Sequence, residues 1–201
     1  MFIRRENFKQ YIKFYPVVST IIAINIIVYI LTKVPILGDI ILYGGMHVNG
    51  LISDGEWWRV ITSIFLHAGL FHILFNMFAL FLFGPELEQI AGKIRFITIY
   101  FLAGIFGNVA TFMFEHYSYG SVGASGAIYG IFGAFAALVY YARNTMPQLK
   151  QIIMPIIVIG LIMTFLQPNI NYYAHIGGLI TGFLLGLAYF SPKNILRWRM
   201  K

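Results

Sequence analysis

Residues 60–83 read VITSIFLHAGLFHILFNMFALFLF, twenty-four positions without one lysine, arginine, aspartate or glutamate. A helix rising 1.5 Å per residue needs roughly 20 apolar residues to cross a hydrocarbon core of about 30 Å, so this run is long enough. Five further stretches are similarly apolar: about 15–32, 94–114, 125–142, 150–167 and 172–190. Apolar residues make up 59% of the 201 positions and charged residues 10%, against about 25% charged in soluble domains. The expected fold is an all-α membrane protein, one six-transmembrane-helix bundle over residues 1–201.

The basic residues orient that bundle. Arg4, Arg5, Lys9 and Lys13 precede span one; Lys93 and Arg95 separate spans two and three. Arg143 and Lys150 separate spans four and five, and Lys193, Arg197, Arg199 and Lys201 follow span six. These twelve share one side, leaving Lys33 and Arg59 on the other, so both termini are expected in the cytoplasm. The net charge of +7 is then a topology signal directed at anionic lipid, and a nucleic-acid partner is not expected. The first span lacks a small-x-small cleavage site after Thr32 and reads as retained rather than as a removed signal. The outer loop, about 33–59, is long and carries Trp57 and Trp58, which suit a membrane–water interface.

Ionisable and amide groups at membrane depth are costly and therefore informative. Span two carries His67, His72 and Asn76, Ser125 opens span four, and His175 sits early in span six. Ser125 lies 18 residues before Arg143 and His175 lies 18 before Lys193, which puts both roughly 27 Å above the cytoplasmic boundary. His72, 16 residues before Glu88, comes to about 24 Å by the same rise. His72 and Asn76 are an i,i+4 pair on one helix face. Each also has a plainer reading. A lone histidine or asparagine can be an interhelical hydrogen bond, the run Gly123-Ala124-Ser125-Gly126 can be close packing, and Tyr129 can be a core tyrosine. For Gly178 and Gly182, a Gly-x-x-x-Gly pair, packing is the stronger reading, and it would draw the His175 helix close to the Ser125 helix.

The chemistry that fits is acyl transfer. A serine hydroxyl needs a neighbouring base, and histidine suits that task near neutral pH. Ser125 would be the nucleophile and His175 the general base, as a dyad, because no carboxylate lies at that depth. His72, the Asn76 amide and the Ser125 backbone N–H would meet the oxyanion, and Tyr129, one turn after Ser125, could pack on the imidazole. With no cysteine there is no thiolate nucleophile or disulfide, and without a His-Glu-x-x-His run no metal or cofactor is expected.

Four motifs in register resemble the rhomboid family. Trp58-Arg59 is similar to its first-loop signature, and His67-Ala-Gly-Leu-Phe-His72-Ile-Leu-Phe-Asn76 to its second-span pattern. Gly123-Ala-Ser125-Gly126-Ala-Ile-Tyr129-Gly130 resembles its Gly-x-Ser-Gly nucleophile motif, and Ala174-His175-Ile-Gly-Gly178-Leu-Ile-Thr-Gly182 its last-span motif. Glu88 and Gly92 fall where the family has a cytoplasmic-end Glu-x-x-x-Gly. The resemblance spans about 56–186 and implies a six-span intramembrane serine protease that cuts transmembrane segments of single-span membrane proteins near the outer face. It also implies that span five and the loop Pro168–Asn171 gate access, and the minimal form suggests a bacterial plasma membrane. Two rival readings are an inert relative that binds membrane proteins without cutting them and a small histidine-based transporter. The second lacks mid-membrane acids and an inverted repeat.

Overall fold

The computed structural model describes residues 2, 4–143, 147–168 and 170–191. It is mostly helical, and its helices turn apolar side chains outward as well as inward. On α6 (Leu70–Ala91), Phe71 is 72% and Phe75 71% exposed, and on α9 (Pro147–Leu166) Leu166 is 71% exposed. Such a surface is stable against hydrocarbon and not against water. Among the described residues, α6, α7 (Lys93–Phe114), α8 (Ser125–Ala142) and α9 are each long and apolar enough to cross a membrane. A fifth candidate combines α1 (Phe8–Phe14) with α2 (Pro16–Leu31), which meet at a bend of 112°.

That bend follows from Pro16 at the first position of α2, where the missing N–H costs nothing and φ is already helical. The next two donors are met from another helix. The Glu88 carboxylate of α6, 3% exposed, accepts from Val17 N at 3.1 Å and Val18 N at 2.9 Å. An anion there satisfies orphan N–H groups and faces the positive end of the α2 dipole. At the end of α6, Gly92 at φ +80° turns the chain directly into α7, a conformation open to glycine without strain.

The run 60–83 is not one helix, contrary to the sequence expectation. It comprises α5 (Arg59–Thr62), a 3-10 turn (Ser63–Phe65) and a non-helical passage through Gly69 before α6 begins at Leu70. The physical reason is competition for carbonyls. Ser63 O accepts from Gly123 N at 3.0 Å and from Leu66 N at 3.2 Å, while Asn108 Nδ2 of α7 takes Val60 O at 2.8 Å and Ser63 Oγ at 2.9 Å. His67 consequently precedes the span, and the helix runs on to Ala91. The loop 33–59 holds α3 (Leu37–Gly45), β1 (His47–Val48) and α4 (Asn49–Ser53). β1 pairs antiparallel with β2 (Gly120–Ser121), His47 opposite Ser121.

The centre of the bundle is glycine-lined. Cβ atoms at Gly178 and Gly182 of α10 (Tyr172–Tyr189) would fall on the carbonyl oxygens of Gly126 and Gly130 of α8. One at Gly186 would come within 3.0 Å of Ala134 Cα. Contacts rising together along both helices mean that α8 and α10 run parallel with backbones touching, the close approach that small-residue pairs permit. Gly107 of α7 meets Ala174 O in the same way, at 2.6 Å from its would-be Cβ. α8 is buried on nearly every side, whereas α9 is peripheral and buries Leu149, Ile153, Ile157 and Thr164.

Candidate active site

Ser125 is the first residue of α8, and His175 lies in the first turn of α10. Because those helices run parallel with touching backbones, both side chains emerge at one level, and Ser125 Oγ lies 2.8 Å from His175 Nε2. The α10 start is held by Asn171. Its Oδ1 accepts from Ala174 N and Thr111 Oγ1, both at 3.0 Å, and its amide donates to Ser121 Oγ at 3.0 Å. The imidazole is 7% exposed and stacks on Tyr129, with ring centroids 4.1 Å apart and planes 14° from parallel. Tyr129 is thus both a core tyrosine and a platform for the ring.

The other imidazole nitrogen, Nδ1, lies 2.8 Å from Thr164 Oγ1 on α9. Thr164 also donates to Gly160 O at 2.8 Å, the carbonyl that accepts the Tyr129 hydroxyl at 2.7 Å. Sequence reasoning missed Thr164. The signal was present, since Thr164 is the single hydroxyl in the apolar stretch 152–166.

His72 and Asn76 face the same cavity as Ser125 and His175, a space of about 840 Å³ also bordered by Phe71, Phe75 and Met163. The Asn76 amide donates to His72 O at 2.8 Å, within its own helix. Gly123 leads into the serine at φ +139°, and a Cβ there would stand 2.8 Å from the His72 ring, so two constraints favour glycine. Ala124, at the α8 N-cap, supplies no side-chain cap, which leaves the first-turn N–H groups of α8 facing the cavity end of the helix. His67 packs edge-on against His72, ring centroids 5.0 Å apart, and does not border the cavity. Trp58 and Arg59 also stand apart. Trp58 Nε1 donates to Gly44 O at 3.0 Å, and Arg59 Nη1 to Tyr43 O and Met46 O at 2.7 and 2.8 Å. They pin the end of α3.

A family model described as "Rhomboid domain" matches residues 54–192. YdcA of Bacillus subtilis (strain 168), provisionally named a rhomboid protease, is 41% identical over 196 residues, covering 96% of this chain and 98% of its own. The rhomboid protease GluP of the same organism is 41% identical over 153 residues, 74% of this chain but 29% of its own. An Arabidopsis thaliana relative named "Inactive RHOMBOID-like protein 8" is 35% identical over 140 residues, 69% of this chain and 40% of its own. With its outward-facing apolar helices the molecule is an integral, multi-pass membrane protein. Since the family model covers well over half the chain and one relative aligns along nearly all of it, the chain belongs to the rhomboid family.

Proposed function

We propose that this protein is an intramembrane serine endopeptidase that cleaves transmembrane segments of other membrane proteins near the outer face of a bacterial plasma membrane. The observation that carries the reading is the 2.8 Å approach of Ser125 Oγ to His175 Nε2 within a cavity bordered by apolar residues. Ser125 Oγ attacks the scissile carbonyl carbon while Nε2 takes the hydroxyl proton. The amide C–N bond then breaks as the imidazolium returns that proton to the leaving amine, and water repeats the sequence on the acyl-enzyme. His72, the Asn76 amide and the Ser125 N–H bind the oxyanion, with Asn76 exchanging its bond to His72 O for the substrate oxygen. Gly123 and Tyr129 shape the site, and Gly178 and Gly182 bring its two helices together.

The topology belongs to the same proposal. α2, at 16 residues about 24 Å long, and α10, at 18 residues, join α6, α7, α8 and α9 as a single six-span domain. Both termini are cytoplasmic, where twelve of fourteen basic residues gather. The relative named inactive favours one competing reading, an inert binder of membrane proteins. Purified protein and its Ser125→Ala form, incubated in detergent with a single-span substrate, decide between them. Product from the wild type alone supports the protease; no product from a panel of single-span substrates favours the binder; product from both removes Ser125 as nucleophile.

A further inference from the structure

We infer that Thr164 is the positioning residue for His175, holding the imidazole with its proton on Nδ1 so that Nε2 presents a lone pair to Ser125. The inference rests on the reading of Ser125 and His175 as nucleophile and base. Nucleophile–base pairs need a third group to select the reactive tautomer, since the wrong one presents a proton where a lone pair is required. A carboxylate commonly does this. Here the two ring nitrogens are taken up by Ser125 Oγ and Thr164 Oγ1, each at 2.8 Å, and the ring face by Tyr129.

The Tyr129 stack cannot select the tautomer. Stacking fixes the plane of the imidazole, and a 180° flip about Cβ–Cγ preserves that plane while exchanging a carbon for a nitrogen on each side. A directional partner at Nδ1 is needed, and Thr164 is the one in place. Thr164 Oγ1 lies 2.8 Å from both Gly160 O, four residues earlier and the usual back-bond of a threonine within an apolar helix, and the Tyr129 hydroxyl, itself 2.7 Å from the same Gly160 O. A hydroxyl that donates there keeps its lone pairs for an incoming N–H. Nδ1–H therefore donates to Thr164 Oγ1, and Nε2 accepts from the Ser125 hydroxyl.

Thr164 lies on α9, the peripheral helix that also borders the cavity through Gly160 and Met163. The base is thus in its reactive form only while the outer half of α9 is seated against α8 and α10.

The test compares Thr164→Val, which keeps the shape and removes the hydroxyl, with Thr164→Ser, which keeps the acceptor. Cleavage of a single-span substrate should show kcat lowered by roughly 10- to 100-fold for Thr164→Val with KM within about twofold, and recovery to within about threefold for Thr164→Ser. A change in KM alone, or equal losses in both variants, would mean a packing role and overturn the inference. Ser125→Ala runs alongside. If it is inactive while Thr164→Val keeps wild-type kcat, the positioning role fails and the dyad stands; if Ser125→Ala cleaves normally, the dyad itself fails. Ring 15N shifts of His175 in the wild type, assigned by difference with His175→Gln, answer the question without any variant of Thr164. Protonation at Nδ1 is expected at neutral pH, and protonation at Nε2 would overturn the inference.

Discussion

Gly178→Ala adds one methyl group where α8 and α10 touch backbone to backbone. The new Cβ would fall on the Gly126 carbonyl oxygen, an atom that cannot swing aside as a flexible side chain would. Restoring ordinary contact requires the helices to part by roughly 1 Å at this level. Gly126 directly follows Ser125 and Gly178 is three residues after His175, so the parting acts on the site itself. The Ser125–His175 separation, 2.8 Å in the native packing, then exceeds the hydrogen-bond limit. Overpacking of this kind costs about 1–3 kcal/mol of stability, and a misplacement near 1 Å costs on the order of 100-fold in rate. Thermal unfolding in detergent measures the first effect, and cleavage rate per folded molecule the second. Gly182→Ala is the internal comparison, because its Cβ meets Gly130 O one turn further from the site. It should lose similar stability and less activity. A folded Gly178→Ala protein that cleaves within twofold of the wild-type rate would refute the reasoning.

Other consequences follow from contacts outside the cavity. Glu88→Gln weakens the cap on α2 and should lower stability by about 1–2 kcal/mol, read as a reduced Tm, with the rate per folded molecule unchanged. Arg59→Lys keeps the charge but loses the fork that reaches Tyr43 O, Met46 O and Glu56 together, and should cost about 1–3 kcal/mol; an unchanged Tm would show that the α3 anchor is dispensable. His47, in the segment between α3 and α4, has its pKa lowered by burial, with the Asn49 hydrogen bond opposing in part. A histidine with a depressed folded pKa stabilises the fold above the unfolded value, near 6.5, and loses that contribution as pH falls below it. Stability should therefore decline on acidification below about pH 6.5, by up to about 1.4 kcal/mol per pH unit from this group, and His47→Gln should flatten the slope. Equal slopes in the two proteins would exclude His47 as a source.

How far the molecule can be read without coordinates depends on which property is local. Hydrophobic runs are local, so the apolar stretches at 94–114, 125–142, 150–167 and 172–190 are helices within a few residues of those limits. Helix rise is local too, and counting residues along spans four and six was enough to expect Ser125 and His175 at one level, where they lie 2.8 Å apart; Lys193, from which the second count runs, lies outside the described residues. Where a helix breaks for lack of carbonyls is not local. Val60 O and Ser63 O are claimed by Asn108 and Gly123, 48 and 60 residues away, and nothing within 60–83 announces that competition.

The amino-acid sequence by itself determined that this chain enters a membrane as apolar helices and that Ser125, His72, Asn76 and His175 are the residues of unusual polarity those helices carry. Rotation and partnership were decided only in the tertiary structure. The Gly178 and Gly182 face of α10 was legible as a packing face, but that it seats on the Gly126 and Gly130 carbonyls of α8, some fifty residues away in the chain, was not. Whether Glu88 caps a distant helix or lies free, and whether Thr164 reaches His175, depends on packing that brings α6 to α2 and α9 to α10. Period and composition describe one helix at a time; a hydrogen bond between two helices needs the angle and offset of both.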